Sequence, residues 1–452
     1  MQKLITKYGL AAHLALVAVA PLFLSPTSVL WLSALLGVWI LMEPSRIGSE
    51  MQHTARARVV CAIFTDPLFW FSIVLVAYVA IRFANGGVSM AYDAEVSRWS
   101  VSKPHVPVLP GSTLTAGYPE LASAVALLIA LQGVRHALGK SGRMAFLLVS
   151  SALAGLGGVV YAIILQANVA WAVKLAECAI QRPEYLGSIM GVYWLAGTIA
   201  LVSAYERKWL KAMPLSILSI GGTAAGLFLF APAYVQVGFV GAEVLLLVYS
   251  FFYMRKHLPG SGEFKYLVTY SMAMVLGGVL VVGTMPEKQL EDRIVAFQSG
   301  EFLSERLIAT REALSDISLK VWKEQPWIGT GLGSFPIDLR FHATEADWAI
   351  VAPEQEAPLN GYWSLLSERG IVGMGFIACA LGFLLWTFFR RLWGGGLAVF
   401  PHPACWLGVM ALLIVLAETV LDCSCLKPGM FLVMALLLAL SANSFAKEDR
   451  NG

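Results

Sequence analysis

Charge is what this sequence has least of. Only 13% of its 452 residues are Asp, Glu, Lys or Arg, about half the share that a soluble domain carries. Apolar residues make up 58%. Together these figures exclude a large soluble enzyme. The formal net charge is only +3, and positive residues on the cytoplasmic side of a bilayer account for it without a nucleic-acid partner. No internal repeat and no low-complexity tract is evident. Cysteine is scarce as well, with six in all. The first apolar run has Lys3 and Lys7 before it and no small-residue cleavage site after it, so it reads as a first span and not as a cleaved leader.

What the chain has in abundance is long apolar runs. Twelve come near the roughly 20 residues that a bilayer requires. They fall at Tyr8–Leu24, Ser28–Met42, Pro67–Arg82, Pro119–His136, Met144–Leu165, Leu186–Tyr205, Pro214–Phe230, Tyr234–Met254, Tyr266–Thr284, Ile371–Phe389, Ala404–Leu421 and Gly429–Phe445. The expected fold is therefore an all-α polytopic membrane protein of about 12 transmembrane helices. Basic residues mark every second connection: Arg46, Arg56 and Arg58; Arg135, Lys140 and Arg143; Arg207, Lys208 and Lys211; Arg255, Lys256 and Lys265; Arg390 and Arg391. Lys447 and Arg450 close the chain. By the positive-inside rule both termini face the cytoplasm.

The remaining connections face out, and polar chemistry belongs there because irregular backbone is not tolerated against lipid. The longest runs from Pro286 to about Gly370 and carries a full mix of charges. The chain thus divides into a transmembrane bundle of about nine spans (1–285), a large outer loop domain (286–370) and about three further spans (371–452). On the outer side lie Cys178, Cys423 and Cys425, and a bridge from Cys178 to the Cys423–Cys425 pair is expected there. A secondary transporter of similar span count requires charges within its spans. Here the spans are poor in charge and the polar residues gather in one outer loop.

Within that loop, Leu303, Leu307, Thr310, Leu314, Ile317 and Val321 recur at helical spacing and predict a helix from Ser304 to Gln325. Ser304 suits the N-cap, and Pro326 ends the helix. The apolar stripe is expected to lie on the membrane surface, with Arg306 and Arg311 on its two edges at headgroup depth. Either the two arginines snorkel or their guanidinium forks hold phosphate. The helix leads into QPWIGTGLGSFP, a run with three glycines and two prolines around Trp327 and Phe335. Glycine allows tight turns and close approach, and proline fixes entry and exit. The turn is expected to hold the arginine helix against the segment that carries Asn360.

The run REALSDISLKVWKEQPWIGTGLGSFP, with APLNGYWSLLSERGIVG further on, resembles the signature region of the bacterial O-antigen ligase and O-antigen polymerase superfamily. Arg311, Pro326, Trp327, Gly329, Gly331, Gly333 and Phe335 match its first half. Asn360, Leu366, Glu368, Gly370 and Gly373 match its second. The resemblance implies an integral inner-membrane glycosyltransferase that takes a glycan from undecaprenyl diphosphate on the periplasmic face. The acceptor is lipid A-core, another glycan chain or a protein, and surrounding membrane lipids are the remaining partners. It also implies inverting chemistry with no metal and no other cofactor, and the sequence has no outward DxD pair and no HExxH spacing. The alternatives are a polysaccharide polymerase and a non-catalytic relative that binds the lipid-linked glycan.

Two departures from the family pattern matter. Its histidine before the asparagine falls on Leu359, and the arginine of its Ser-Arg-Gly turn falls within YVQVGFVG, at Gln236, Val237 and Gly238. Substitutes must come from the outer side. His342, Glu356 and Glu368 are the candidate catalytic groups, with Glu354 beside Glu356. Arg306, Arg311, Arg340, Asn360 and Trp327 are the candidate substrate contacts, and Arg369 is a further source of positive charge.

Overall fold

The computed structural model describes residues 2–42, 60–86, 89–93, 98–102, 106, 111–138, 140–167, 183–258, 262–285, 287–288, 291, 295, 305–351, 358–394, 402–421 and 428–444. Eight helices among them are long and apolar enough to cross a membrane. Four further apolar helices, at Gly9–Pro21, Pro26–Ile40, Ala404–Val420 and Leu432–Ser441, are shorter. In chain order the elements used below are α1 (Gln2–Phe23), α2 (Pro26–Met42), α3 (Pro67–Asn85), α4 (Leu114–Gln132), α5 (Lys140–Ala167), α6 (Pro183–Glu206), α7 (Met213–Phe230), α8 (Ala233–His257), α9 (Gly262–Thr284), α10 (Glu305–Glu324), α11 (Phe335–His342), α12 (Glu345–Trp348), α13 (Gly361–Gly394), α14 (Ala404–Leu421) and α15 (Pro428–Ser444). The departure from an all-helical fold is a short antiparallel hairpin, Ser89–Asp93 with Arg98–Ser102, in register from Ser89↔Ser102 to Asp93↔Arg98. Five-residue strands broken by serine give too short an alternation to be read from sequence. The expected bridge partners Cys178, Cys423 and Cys425 lie outside the described residues; Cys61, Cys379 and Cys405 are free thiols.

α6 is the centre of the bundle. It is buried on every side from Leu186 to Ala204, as an apolar helix surrounded by other helices must be. Around it the helices approach through small residues. A Cβ added to Gly155 of α5 would lie 2.9 Å from the Thr223 backbone nitrogen of α7, and one on Gly221 would lie 2.7 Å from the Ala273 carbonyl of α9. Backbones that meet this closely gain contacts that lipid cannot supply.

α8 and α14 run antiparallel. Tyr253 and His402 meet at one end with ring centroids 5.4 Å apart. Further along, the Cβ position of Gly238 is 3.6 Å from the Ile414 side chain. The spans are poor in charge, but the charges they do hold are buried: Arg82, Glu120, Glu243 and Glu418 are each under 7% exposed. The polar residues are therefore not confined to the long loop.

α10 has the expected bounds within a residue. Leu314, Ile317 and Val321 are fully buried, but not against the membrane. They pack with Phe335, Leu339 and Val351 of the same loop into a small separate core. Periodicity shows which face of a helix is covered; the covering partner here is supplied by the next helix of the loop. The Ser304 cap lies outside the described residues.

Candidate functional site

The glycine turn and a break in α13 are two halves of one clamp. Gly329, Gly331 and Gly333 have φ of 70°, 119° and 75°, and Gly370, inside α13, has φ of 63°. Left-handed backbone is glycine's territory. The Ser367 and Glu368 carbonyls accept from Thr330 N–H (2.9 Å) and Gly331 N–H (3.1 Å). On the other side of the break, Ile371 N–H donates to Pro326 (2.9 Å) and Val372 N–H to Trp327 (3.0 Å). Groups freed by the break in the helix are thus paired by the turn. Contact is so close that a Cβ on Gly329 would lie 2.4 Å from the Glu368 carbonyl carbon, and one on Gly370 would lie 2.4 Å from the Trp327 carbonyl oxygen. Leu332 extends the clamp to the segment before α4 by a bridge with Ser112.

Charged side chains tie the clamp to the bundle. The fully buried Arg82, at the end of α3, donates to the Glu368 carbonyl at 3.2 Å. The Glu368 carboxylate accepts from Gly333 N–H at 3.1 Å. Arg369 pairs with Glu120 of α4 at 2.7 Å, and both are buried. Asp338 of α11 accepts from the Thr330 and Ser334 hydroxyls, each at 2.8 Å. Burial pushes its carboxyl above the usual range, against those two bonds. Trp327 is 67% exposed at the edge of the turn.

A second constellation lies where α6, α7, α8, α10, α13 and α14 converge, at the end of the bundle under the loop core. Arg311 of α10 sets its guanidinium 5.6 Å from the ring centre of Tyr234, at the start of α8. Its Nε is buried without a hydrogen-bond partner. α8 begins directly after α7 ends, and α7 touches the start of α6: the Cβ position of Gly187 is 2.3 Å from the Ala231 nitrogen. The next residue, Ser188, donates its hydroxyl to Glu418 of α14. Glu418 stands one turn beyond Ile414, and Tyr234 one turn before Gly238. Because α8 and α14 are antiparallel, the Gly238–Ile414 contact puts Tyr234 and Glu418 at the same level. The entry of α13 docks here as well, since Tyr362 OH donates to the Leu416 carbonyl at 3.1 Å. Asn360 caps that helix, its Oδ1 accepting from Tyr362 N–H (3.0 Å) and Trp363 N–H (3.3 Å).

The sequence candidates separate accordingly. Arg311 and Asn360 reach the convergence. Glu368 and Arg369 are built into the clamp with Trp327 at its rim. His342 sits 3.7 Å from Glu324, thirteen residues down α10 from Arg311, or about 20 Å of helix axis. The structure does not bring His342 and Arg311 together. Arg340 is exposed on α11. Arg306 lies in the first turn of α10, where only the backbone is described. Glu354 and Glu356 lie outside the described residues. Gln236, at the place of the family's arginine, donates its amide to the Ala231 carbonyl at 2.9 Å and so caps the end of α7. Leu359, at the place of the histidine, packs against the loop core.

Glu418, Ser188 and Tyr234 went unread in the sequence, as did Arg82 and Glu120. One signal was available: a lone carboxylate in an apolar span is costly and marks function or a specific partner. No curated protein matches the chain. Residues 221–378 match the sequence model of the O-antigen ligase family. The match runs from α7 to the middle of α13 and includes Tyr234, Arg311, the glycine turn and Gly370. The chain is thus a polytopic membrane protein by its many helices long and apolar enough to cross a membrane, and over this segment it is similar to the O-antigen ligase family.

Proposed function

We propose that the protein transfers a glycan from undecaprenyl diphosphate to lipid A-core on the periplasmic face of the inner membrane. In this reading the chain spans the membrane about twelve times, both termini are cytoplasmic, and the long loop caps the periplasmic end. The observation that carries the reading is the convergence of Arg311 and Glu418 from distant parts of the chain on one end of the bundle. Arg311 would bind the diphosphate: it has a guanidinium face on Tyr234 and a buried Nε in need of an acceptor. Glu418 is the proposed base, held by Ser188. The acceptor hydroxyl oxygen attacks the anomeric carbon and its proton passes to Glu418. The bond from that carbon to the diphosphate oxygen breaks, the diphosphate departs with the electron pair against Arg311, and the anomeric centre inverts. Arg306 and Arg340 are proposed to add positive potential along the approach, and Asn360 to hold the α13 entry beside the acceptor.

The test is deletion of the gene in its host, with surface glycolipids separated on a gel. Loss of the long-chain ladder, with core retained and lipid-linked polymer accumulating, is the expected result. Core that carries a single repeat would identify a polymerase acting on the same donor. An unchanged ladder would contradict the reading. Leu359 favours one rival, a relative that binds the donor without turning it over; tight donor binding with no transfer by the purified protein would establish that rival.

A further inference from the structure

A second site lies at the other end of α4. Glu120, near the start of α4, belongs to the clamp; Gln132 lies twelve residues on, about 18 Å along the axis. Gln132 is 4% exposed, and neither its Oε1 nor its Nε2 has a hydrogen-bond partner. It lines a cavity of about 250 Å³ whose other walls include Gly37 and Ile40 of α2, Ile63, Phe64 and Leu128. Apart from Gln132, the lining is apolar. An amide buried there without partners costs free energy that a ligand's polar group would recover.

The helix changes pitch just past this glutamine. Gly133–Ala137 forms a π-helical turn, a feature that often marks functional positions. Arg135, within this turn, donates through Nε (2.6 Å) and Nη2 (3.2 Å) to Asp66, which stands between the cavity residues Phe64 and Phe69 in the chain. Its Nη1 is buried without a hydrogen-bond partner. His136 contacts the same carboxylate at 2.9 Å. At the rim, Phe64 and Trp70 are exposed, and the Trp70 indole donates to the Phe64 carbonyl at 2.9 Å. Aromatic rings with a polar handle collect at the membrane interface.

We propose that this site binds one anionic phospholipid, with an acyl chain in the cavity, its ester oxygens on Gln132 and its phosphate on Arg135. Apolar walls select hydrocarbon, the amide selects the ester region, and the spare guanidinium donor selects the phosphate. The site is separate from the glycan-transfer reading and stands whether or not that reading holds.

Native mass spectrometry of the full chain in detergent tests it, with phosphatidylglycerol and phosphatidylcholine of equal chain length as probes. Wild type is expected to retain one phosphatidylglycerol, at an occupancy at least fivefold above phosphatidylcholine. Gly37→Leu fills the cavity, and its Cβ has room, since the nearest atom lies 3.6 Å away on Ile129. Gln132→Leu removes the polar anchor while keeping the bulk. Each is expected to lower phosphatidylglycerol occupancy at least fivefold while eluting as a single monodisperse species. Equal occupancy by the two lipids in wild type, or unchanged occupancy in both variants, would overturn the proposal.

Discussion

Replacing Glu418 by glutamine is expected to slow glycan transfer by ~10²–10⁴-fold, the usual contribution of a general base, with donor binding unchanged. The substitution isolates the proton-accepting role. Glutamine keeps the size of the side chain and an oxygen that accepts from the Ser188 hydroxyl, so packing around α14 persists. It cannot take a proton from an acceptor hydroxyl. A merely structural carboxylate would predict the opposite pattern, with thermal stability shifted and turnover per folded molecule preserved. Glu418→Asp adds a second readout, because it keeps the base but withdraws it by one methylene. Partial recovery of kcat above the glutamine variant is expected, and identical rates in Glu418→Gln and wild type would remove Glu418 from the mechanism.

Gly370→Val carries the largest expected cost to folding. The residue has φ of 63°, where a β-branched side chain is strained by ~1–3 kcal/mol. Its new Cβ would lie 2.4 Å from the Trp327 carbonyl and 2.5 Å from the Ile328 nitrogen, and overpacking adds ~1–3 kcal/mol. Both neighbours are backbone, so neither yields by rotating a side chain. Separating the strands of the clamp also puts at risk the four hydrogen bonds between the turn and α13. Gly375→Val is the control: the same helix and the same substitution, with nothing within 4 Å of the added Cβ. Thermal unfolding in detergent should show a large drop for Gly370→Val and almost none for Gly375→Val. Equal midpoints would mean that the clamp does not hold the loop to the bundle.

Eight of the expected spans, the third to the tenth, were legible because lipid selects apolar surface directly, and the start of the tenth at Ile371 coincides with the break in α13 at Gly370. The buried stripe of α10 was equally legible, since Leu314, Ile317 and Val321 follow the 3.6-residue period. Its partner was not, because Phe335, Leu339 and Val351 come after a turn whose direction is set by three left-handed glycines. The convergence under the loop core was the hardest part to read. Ser188 and Glu418 are 230 residues apart in the chain, and a hydropathy average over α14 hides one carboxylate among apolar neighbours. His342 shows the reverse error. It is close to the glycine turn in sequence, but a straight helix carries Arg311 about 20 Å away. Glu368 was legible as a motif position, but its contacts, Gly333 and the clamp beneath Arg82, depend on the fold.

The most direct test of the account is the transfer rate of the purified protein with undecaprenyl-diphosphate-linked glycan and lipid A-core, measured for wild type and Arg311→Ala. Removal of a group that stabilises charge in the transition state costs ~10²–10³-fold. The account predicts transfer by wild type and a loss of that size in Arg311→Ala, with the folded fraction unchanged. Turnover by Arg311→Ala at the wild-type rate would contradict it.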